Sequence, residues 1–352
     1  MAIPEPLVEL LRAPGPSGHE TKPAKTWRDW CHSFTSDVQV DINGSSWARL
    51  AGSGPGLSLA VVGHIDEIGV HITHIDDEGF LRFRNVGGWD PVNLVSQRVV
   101  IDTRTGPVYG VIGRKAIHLM DAADRSKAPE LSALHIDIGA ADGAEASSLV
   151  RIGDAGVLDA QPLELLGGRI VSRALDNRVG CYVAGRAGQL LAERGGREGD
   201  YIALAVVQEE TGLRGAAMSA FNLRPDVAIA IDVTHASDTP GLTLGDDTHH
   251  KLGSGPVIER GTLLHPVVSE LLCETAEAEN IPYTLASASG STHTDADSFA
   301  FSGSGIATGL LSVPLRYMHS SVETVALTDI EYTAQLVAAF AQRLVAGTSL
   351  MR

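Results

Sequence analysis

Apolar and polar positions along this chain follow three successive patterns. At the start, Glu5–Arg12 reads as a helix, broken by "APGPSGHE", and a second helix is predicted over about Thr21–Phe34. "LSLAVVGHID" (Leu57–Asp66) then reads as an apolar strand closing on His and Asp. From about Val70 to Pro162 the texture changes. "VHITHIDDEGFLRFRN", "QRVVIDTRTGPVYGVIG" and "LHIDIGA" are short, β-branched-rich runs separated by Gly, Asp and Asn turns, a spacing that predicts a small barrel or sandwich. After Gly167 strands and helices alternate. "GRIVSRALD" leads into a helix over about Val179–Arg194, and "YIALAVVQEE" and "PDVAIAIDVTH" read as strands. "HPVVSELLCETAEAEN" reads as a helix, "GIATGLLSV" as a strand, and "TDIEYTAQLVAAFAQRLV" as a closing helix with Thr328 and Glu331 as its capping box.

Nearly all-apolar strands alternating with helices predict an α/β fold, a mixed and mostly parallel sheet with helices on both faces. A β-rich, barrel-like insertion interrupts it. The expected boundaries are residues 1–69 with 164–352 for the main domain and 70–163 for the insertion. A length of 352 residues suits two domains, and no internal repeat or low-complexity tract is present.

Composition removes several classes of function. A formal charge of −16, with no Lys/Arg block, argues against a nucleic-acid partner. Cys31, Cys181 and Cys273 are odd in number and scattered, which argues against a disulfide framework or zinc knuckle and fits a reducing cytosol. The amino terminus lacks the apolar stretch of a signal peptide, and no apolar run approaches the roughly 18 residues of a membrane span. A soluble, cytoplasmic protein with no membrane partner is expected. "GSGPG" lacks the Lys-Ser/Thr of a phosphate loop, and no Gly-x-Ser-x-Gly elbow is present, so neither nucleotide nor serine chemistry is supported.

The chemistry gathers where the apolar runs stop. "LAVVGHID" ends in His64 and Asp66, "IVSRALD" in Asp176, "LAVVQEE" in Glu209 and Glu210, and "AIAID" in Asp232; "GLLSVPLRYMH" passes through a Pro loop to His319. Open α/β sheets bind ligands beyond the carboxyl ends of their strands, so these residues are expected at one rim. Imidazoles mixed with carboxylates suit zinc, cobalt or manganese, and so many acids at short range call for cations. Two such ions bridged by a carboxylate form a hydrolytic arrangement. Neighbouring side chains at a strand end diverge, so one of Glu209 and Glu210 is expected to hold metal and the other to act as general base. Asp66, two residues from His64, is expected to orient its ring. His71, His74, His118 and His135, in the insertion, are read as structural.

The segments "APGPSGHE", "GHIDEIG", "VGGWDP", "ALDNRVG", "VQEETGLRGA", "AIDVTHASDTPG", "TDADSF" and "RYMHSSVETV" recur in this order in the tetrahedral (TET-type) aminopeptidases, the glutamyl-aminopeptidase-like dinuclear metallopeptidases, and the chain resembles them from about residue 5 to 345. The resemblance implies that His64 and Asp232 bind one metal, Glu210 and His319 the other, and that Asp176 bridges both. Glu209 is then the general base and Asp66 the residue orienting His64. It also implies peptide substrates with a free N-terminus and a homo-oligomer of dimers assembling to a dodecamer through the β-rich insertion. Two segments depart from the family, "GSTHTDADSFAFSGSG" and "GDDTHHKLGSGP", and they suggest His250, His293, Asp295 and Phe299 as substrate-pocket residues. The expected function is a metal-dependent aminopeptidase with two divalent ions, zinc or cobalt first and manganese next. The rivals are an amidase or deacylase on a small non-peptide substrate and, behind it, a glycoside hydrolase, whose carboxylate pair would need no histidine ligands.

Overall fold

The computed structural model describes residues 2–123, 125–242 and 249–351. In chain order the strands are β1 (Asp37–Val40), β2 (Ser46–Leu50), β3 (Leu59–His64), β4 (Gly69–Ile75), β5 (Leu81–Val86), β6 (Arg98–Thr103), β7 (Gly106–Gly113), β8 (His135–Asp137), β9 (Ala155–Leu158), β10 (Leu163–Leu165), β11 (Arg169–Ser172), β12 (Tyr201–Val206), β13 (Val227–His235), β14 (Val257–Gly261), β15 (Thr284–Ala288), β16 (Ala307–Arg316) and β17 (Glu323–Ala326). The helices are α1 (Glu5–Arg12), α2 (Thr21–Cys31), α3 (Pro91–Leu94), α4 (Gly143–Leu149), α5 (Leu175–Arg194), α6 (Arg214–Leu223), α7 (Pro266–Ala278), α8 (Asp295–Ala300) and α9 (Leu327–Arg343).

Eleven strands form one mixed sheet in the order β1-β2-β12-β3-β13-β16-β17-β11-β10, with β14 on β16 and β15 on β14. Its centre, β12-β3-β13-β16, is parallel, and antiparallel strands flank it. Strand alternation divides the core in two. Leu59 and Val61 of β3 pack into a large cluster with α1, α2, α5 and α9, whereas Ala60 and Val62 pack into a smaller one with α6 and α8. Both faces of the sheet are therefore covered, which is why its central strands are apolar throughout. The other six strands, β4 to β9, close a separate barrel around Ile72, Leu81, Val99, Ile101 and Ile136. No helix among the described residues is long and apolar enough to cross a membrane.

Several local expectations need correction. The helix after "GRIVSRALD" begins at Leu175, and its backbone leaves helical angles at Asp176 and Asn177, joined by a cis peptide, so Asp176 lies inside a bent first turn. Strand β13 runs to His235 as the run "PDVAIAIDVTH" predicts, so Asp232 lies inside it rather than at its end, and Pro314 lies within β16 rather than in a loop. The capping box of α9 does not form. β17 runs straight into the helix at Ala326, which leaves Thr328 inside the first turn, and Glu331 is drawn instead to Arg186 on α5 at 3.3 Å.

Candidate active site

Four features of the sheet bring the distant residues together. β12 pairs with β3 as far as Val206 opposite His64, but β13 pairs with β3 only as far as Ala230 opposite Val62. The sheet thus parts at the level of His64 and Asp232, whose side chains project to the same face as Val62 and Ala230. Helix α5 supplies Asp176 by lying almost against β3. A Cβ added at Gly63 would meet the backbone nitrogen of Cys181 at 2.4 Å, so only glycine permits this approach. β12 ends at Val206, and Glu209 and Glu210 sit in the tight turn beyond it, where Gly212 and Leu213 donate to the Glu209 carbonyl at 2.8 and 3.0 Å. His319 follows the end of β16 with a left-handed backbone, φ 58°.

The side chains meet around Asp176. One of its oxygens lies 3.2 Å from Nε2 of His64 and the other 3.3 Å from Nε2 of His319. Glu210 is 3.4 Å from His319, and Glu209 is 3.8 Å from His64. The adjacent glutamates therefore face different histidines. His64, Asp176 and Glu210 bring one ligand atom each within 4.8 Å of one another, as do His64, Glu209 and Asp232. Imidazole with carboxylate is a donor set for divalent transition metals, so the residues fit such an ion. They line a cavity of about 340 Å³ whose remaining walls include His235, Thr292, His293 and Met318.

The charges are unbalanced without a cation. Burial, reinforced by Asp295, Glu210 and Asp176 and opposed by His64, pushes the Glu209 carboxyl up to about 9. Burial also raises Glu210 and drives Asp232 well above the carboxylate range. Burial would lower both histidines, but the acids prevail: Glu209, Asp176 and Asp66 raise His64, while Asp176 and Glu210 bring His319 to about 11. Burial would raise Asp176 too, yet hydrogen bonds from His319 and His64 hold it well below the usual range. The cluster retains protons where cations would otherwise neutralise it.

Two further carboxylates, both fully buried, hold the backbone beneath these side chains. Asp66 accepts the Glu209 and Glu210 amides, each at 3.1 Å, and its carboxylate lies 3.5 Å from Nδ1 of His64. Its main hold is thus on the glutamate turn, with the His64 ring the weaker contact. Glu323 accepts the amides of Asp176 at 3.1 Å and His319 at 3.0 Å. Sequence reading missed Glu323, although it stands four residues after His319 in the quoted "RYMHSSVETV". Glu67, buried against Arg173 and Arg178, pins the loop after His64.

The four residues expected at the substrate pocket separate. His293 lines the cavity. Asp295 is buried near His64, Asp66 and Asp232, with neither oxygen hydrogen-bonded; burial, ahead of these neighbours, brings its carboxyl to about 8. Phe299 is a core residue, fully buried with Ala60, Val62 and Leu310, because the helical spacing of "DADSFA" turns it towards the sheet. His250 is also buried away from the cavity, with Nδ1 2.7 Å from the Thr284 hydroxyl. Residues 245–248 of "GDDTHHKLGSGP" lie outside the described residues.

The chain is similar in sequence and fold to known proteins. The profile of the M42 glutamyl aminopeptidase family matches residues 44–336. A putative aminopeptidase from Acetivibrio thermocellus is 38% identical over 331 residues, covering 92% of this chain and 93% of that one. The solved structure of an aminopeptidase from the archaeon Desulfurococcus kamchatkensis superposes with a TM-score of 0.89 at 38% identity, covering 97% of this chain and 94% of the other. The TET1 peptidase of Pyrococcus horikoshii, which can assemble into a tetrahedron or a large octahedral shell, superposes at 0.84 with 35% identity, covering 96% and 98%.

Proposed function

The chain belongs to the M42 glutamyl aminopeptidase family and is an aminopeptidase, a hydrolase of peptide bonds, and from that premise we propose a dinuclear mechanism. In this reading His64 and Asp232 hold one divalent ion, Glu210 and His319 hold the other, and Asp176 bridges the pair. The observation that carries it is the division of the Asp176 carboxylate, one oxygen to each histidine at 3.2 and 3.3 Å. A carboxylate shared in that way has the disposition of a bridging ligand. Zinc or cobalt suits the donors best, with manganese next. When bound, the ions would supply Lewis-acid activation of the scissile carbonyl and of water.

Glu209 also lies within ligand range of His64 and Asp232. We assign it the proton instead, because Asp176 already serves as the third ligand on that side. Burial raises the Glu209 carboxyl when no cation is near, and bound cations would return it to the ionised form, which can take a proton from the attacking water and pass it to the departing amine. Asp66 fixes the turn from which Glu209 reaches in. The substrates are peptides with a free N-terminus.

A panel of aminoacyl-p-nitroanilides with N-acetylated controls tests the reading. The expected result is release from the free-amine substrates alone, abolished by EDTA and restored by zinc or cobalt. Turnover of the blocked substrates would favour a deacylase, and indifference to EDTA would remove the metals from the mechanism.

The barrel, which begins at Gly69 and otherwise falls in the 70–163 insertion, is assigned to subunit contacts in dimers that build to a dodecamer. Exposed Tyr109, Val111, Ile117 and Leu119 support this, as does the assembling Pyrococcus horikoshii relative. A cytoplasmic location rests on three free, buried cysteines.

A further inference from the structure

Beside the ligand cluster, across Gly87, lies a second cavity of about 520 Å³. A Cβ added at Gly87 would stand 3.0 Å from Oε2 of Glu210, so this wall separates the two spaces by a single backbone. The cavity is built from two units. Gln208, Thr211 and Arg214 belong to the turn of Glu209 and Glu210 and the helix it enters, while Arg84 and Asn85 belong to barrel strand β5. In a chain with 43 acids against 27 lysines and arginines, no carboxylate lines it among the described residues. Some other arginines pair with acids, as Arg49 does with Asp200 and Arg316 with Asp238. Arg84 and Arg214 have no such partner among the described residues.

We propose that this cavity anchors the C-terminal carboxylate of a short peptide substrate through Arg84 and Arg214. The inference rests on the reading that the Glu209–Glu210 turn works on the N-terminal peptide bond. The released residue then occupies the cavity bounded by His235, His293 and Met318, and the remainder of the peptide passes over Gly87. From Gly87 back to Arg84 is three strand residues, about 10 Å, which two or three further peptide residues span. A guanidinium fork matches a carboxylate in shape and charge, and backbone carbonyls of a longer chain offer it no equivalent. The enzyme is therefore biased towards peptides of three or four residues with a free C-terminus.

The experiment compares trialanine with its C-terminal amide on the full chain loaded with zinc. Each exposed arginine–carboxylate contact contributes modestly, so the free acid is expected to have a kcat/KM about tenfold higher, chiefly through KM. Arg84→Gln and Arg214→Gln should each reduce that ratio and together bring it near one. Arg84→Lys should retain part of it, and molar salt should erode it in the native protein. The same ratio should appear in dissociation constants measured by calorimetry in a Glu209→Gln background, where peptide is not consumed. Equal handling of acid and amide by the native protein, or a preference that survives both substitutions, would overturn the anchor. Alanyl-p-nitroanilide carries no carboxylate: its turnover together with an acid-to-amide ratio of one would sink the anchor while leaving the aminopeptidase reading in place.

Discussion

Glu209 and Glu210 are identical in chemistry and adjacent in sequence, yet the turn that carries them aims one at His64 and the other at His319. Their substitutions should separate accordingly. Glu209→Gln is expected to keep two metal ions per chain by elemental analysis while turnover falls roughly 10²–10⁴-fold, the usual loss of a general base. Glu210→Gln and His64→Ala should instead come off a desalting column depleted of metal, and full occupancy in either would contradict the ligand assignment. Glu323 makes a different prediction. A glutamine there offers one acceptor oxygen where the carboxylate offers two, so either Asp176 or His319 loses its anchor. Metal affinity should weaken about 10–100-fold, with activity largely recovered at saturating zinc. A titration with a competing chelator reads the change directly.

At the scale of elements, the site exists because β3 and β12 stop where β13 parts from β3, with the first turn of α5 and the segment after β16 completing the rim. One tight fit that places Asp176 is Gly63 against Cys181, backbone to backbone. Gly63→Ala should cost about 1–3 kcal/mol in urea denaturation, as overpacking does, and should lower activity by displacing Asp176 from His64. Part of this was readable beforehand because an apolar run that stops at a ligand-type residue marks a strand end: His64 closes β3, whereas Asp176 falls in the first turn of α5 and His319 three residues beyond β16. Asp232 shows where the rule fails. Its strand continues, and what ends there is pairing with β3, which leaves no mark on the sequence. Phe299 and His250 were misplaced for a related reason, since proximity along the chain to polar residues does not say which side of a helix or loop meets the core. The α9 capping box failed because β17 runs straight into the helix, which puts Thr328 inside the first turn and leaves Glu331 to Arg186.

Over the whole molecule, the imbalance of charge at the site has a thermodynamic consequence. Without metal, the folded chain holds protons that the unfolded chain would release. Glu209 rises from 4.5 to about 9, and His319 from 6.5 to about 11, with Glu210, Asp232 and His64 raised as well. Every one of these shifts makes the native state bind more protons, so stability declines as pH climbs through the window from about 5 to 9. The lowered Asp176 acts in the opposite sense, but only in more acidic solution. Melting temperatures in EDTA should therefore fall across that window. Zinc should flatten the slope and release protons on binding, because it takes their place. A metal-free protein whose melting temperature climbed from pH 5 to 9 would contradict the picture.

The path of the chain links the barrel to this chemistry. The polypeptide leaves the sheet at β3, enters the barrel at Gly69, only five residues after His64, and is back in the sheet at β10 before it reaches Asp176. The barrel loop "GGWDP" also reaches the cluster, with Gly87 against Glu210 and Gly88 against the His319 ring, and Trp89 ties that loop to Gly69 at 2.9 Å. The barrel thus touches both ends of the cluster through one short loop. A neighbour seated on its outer surface would be joined to the ligand cluster by the few residues between His64 and Gly69.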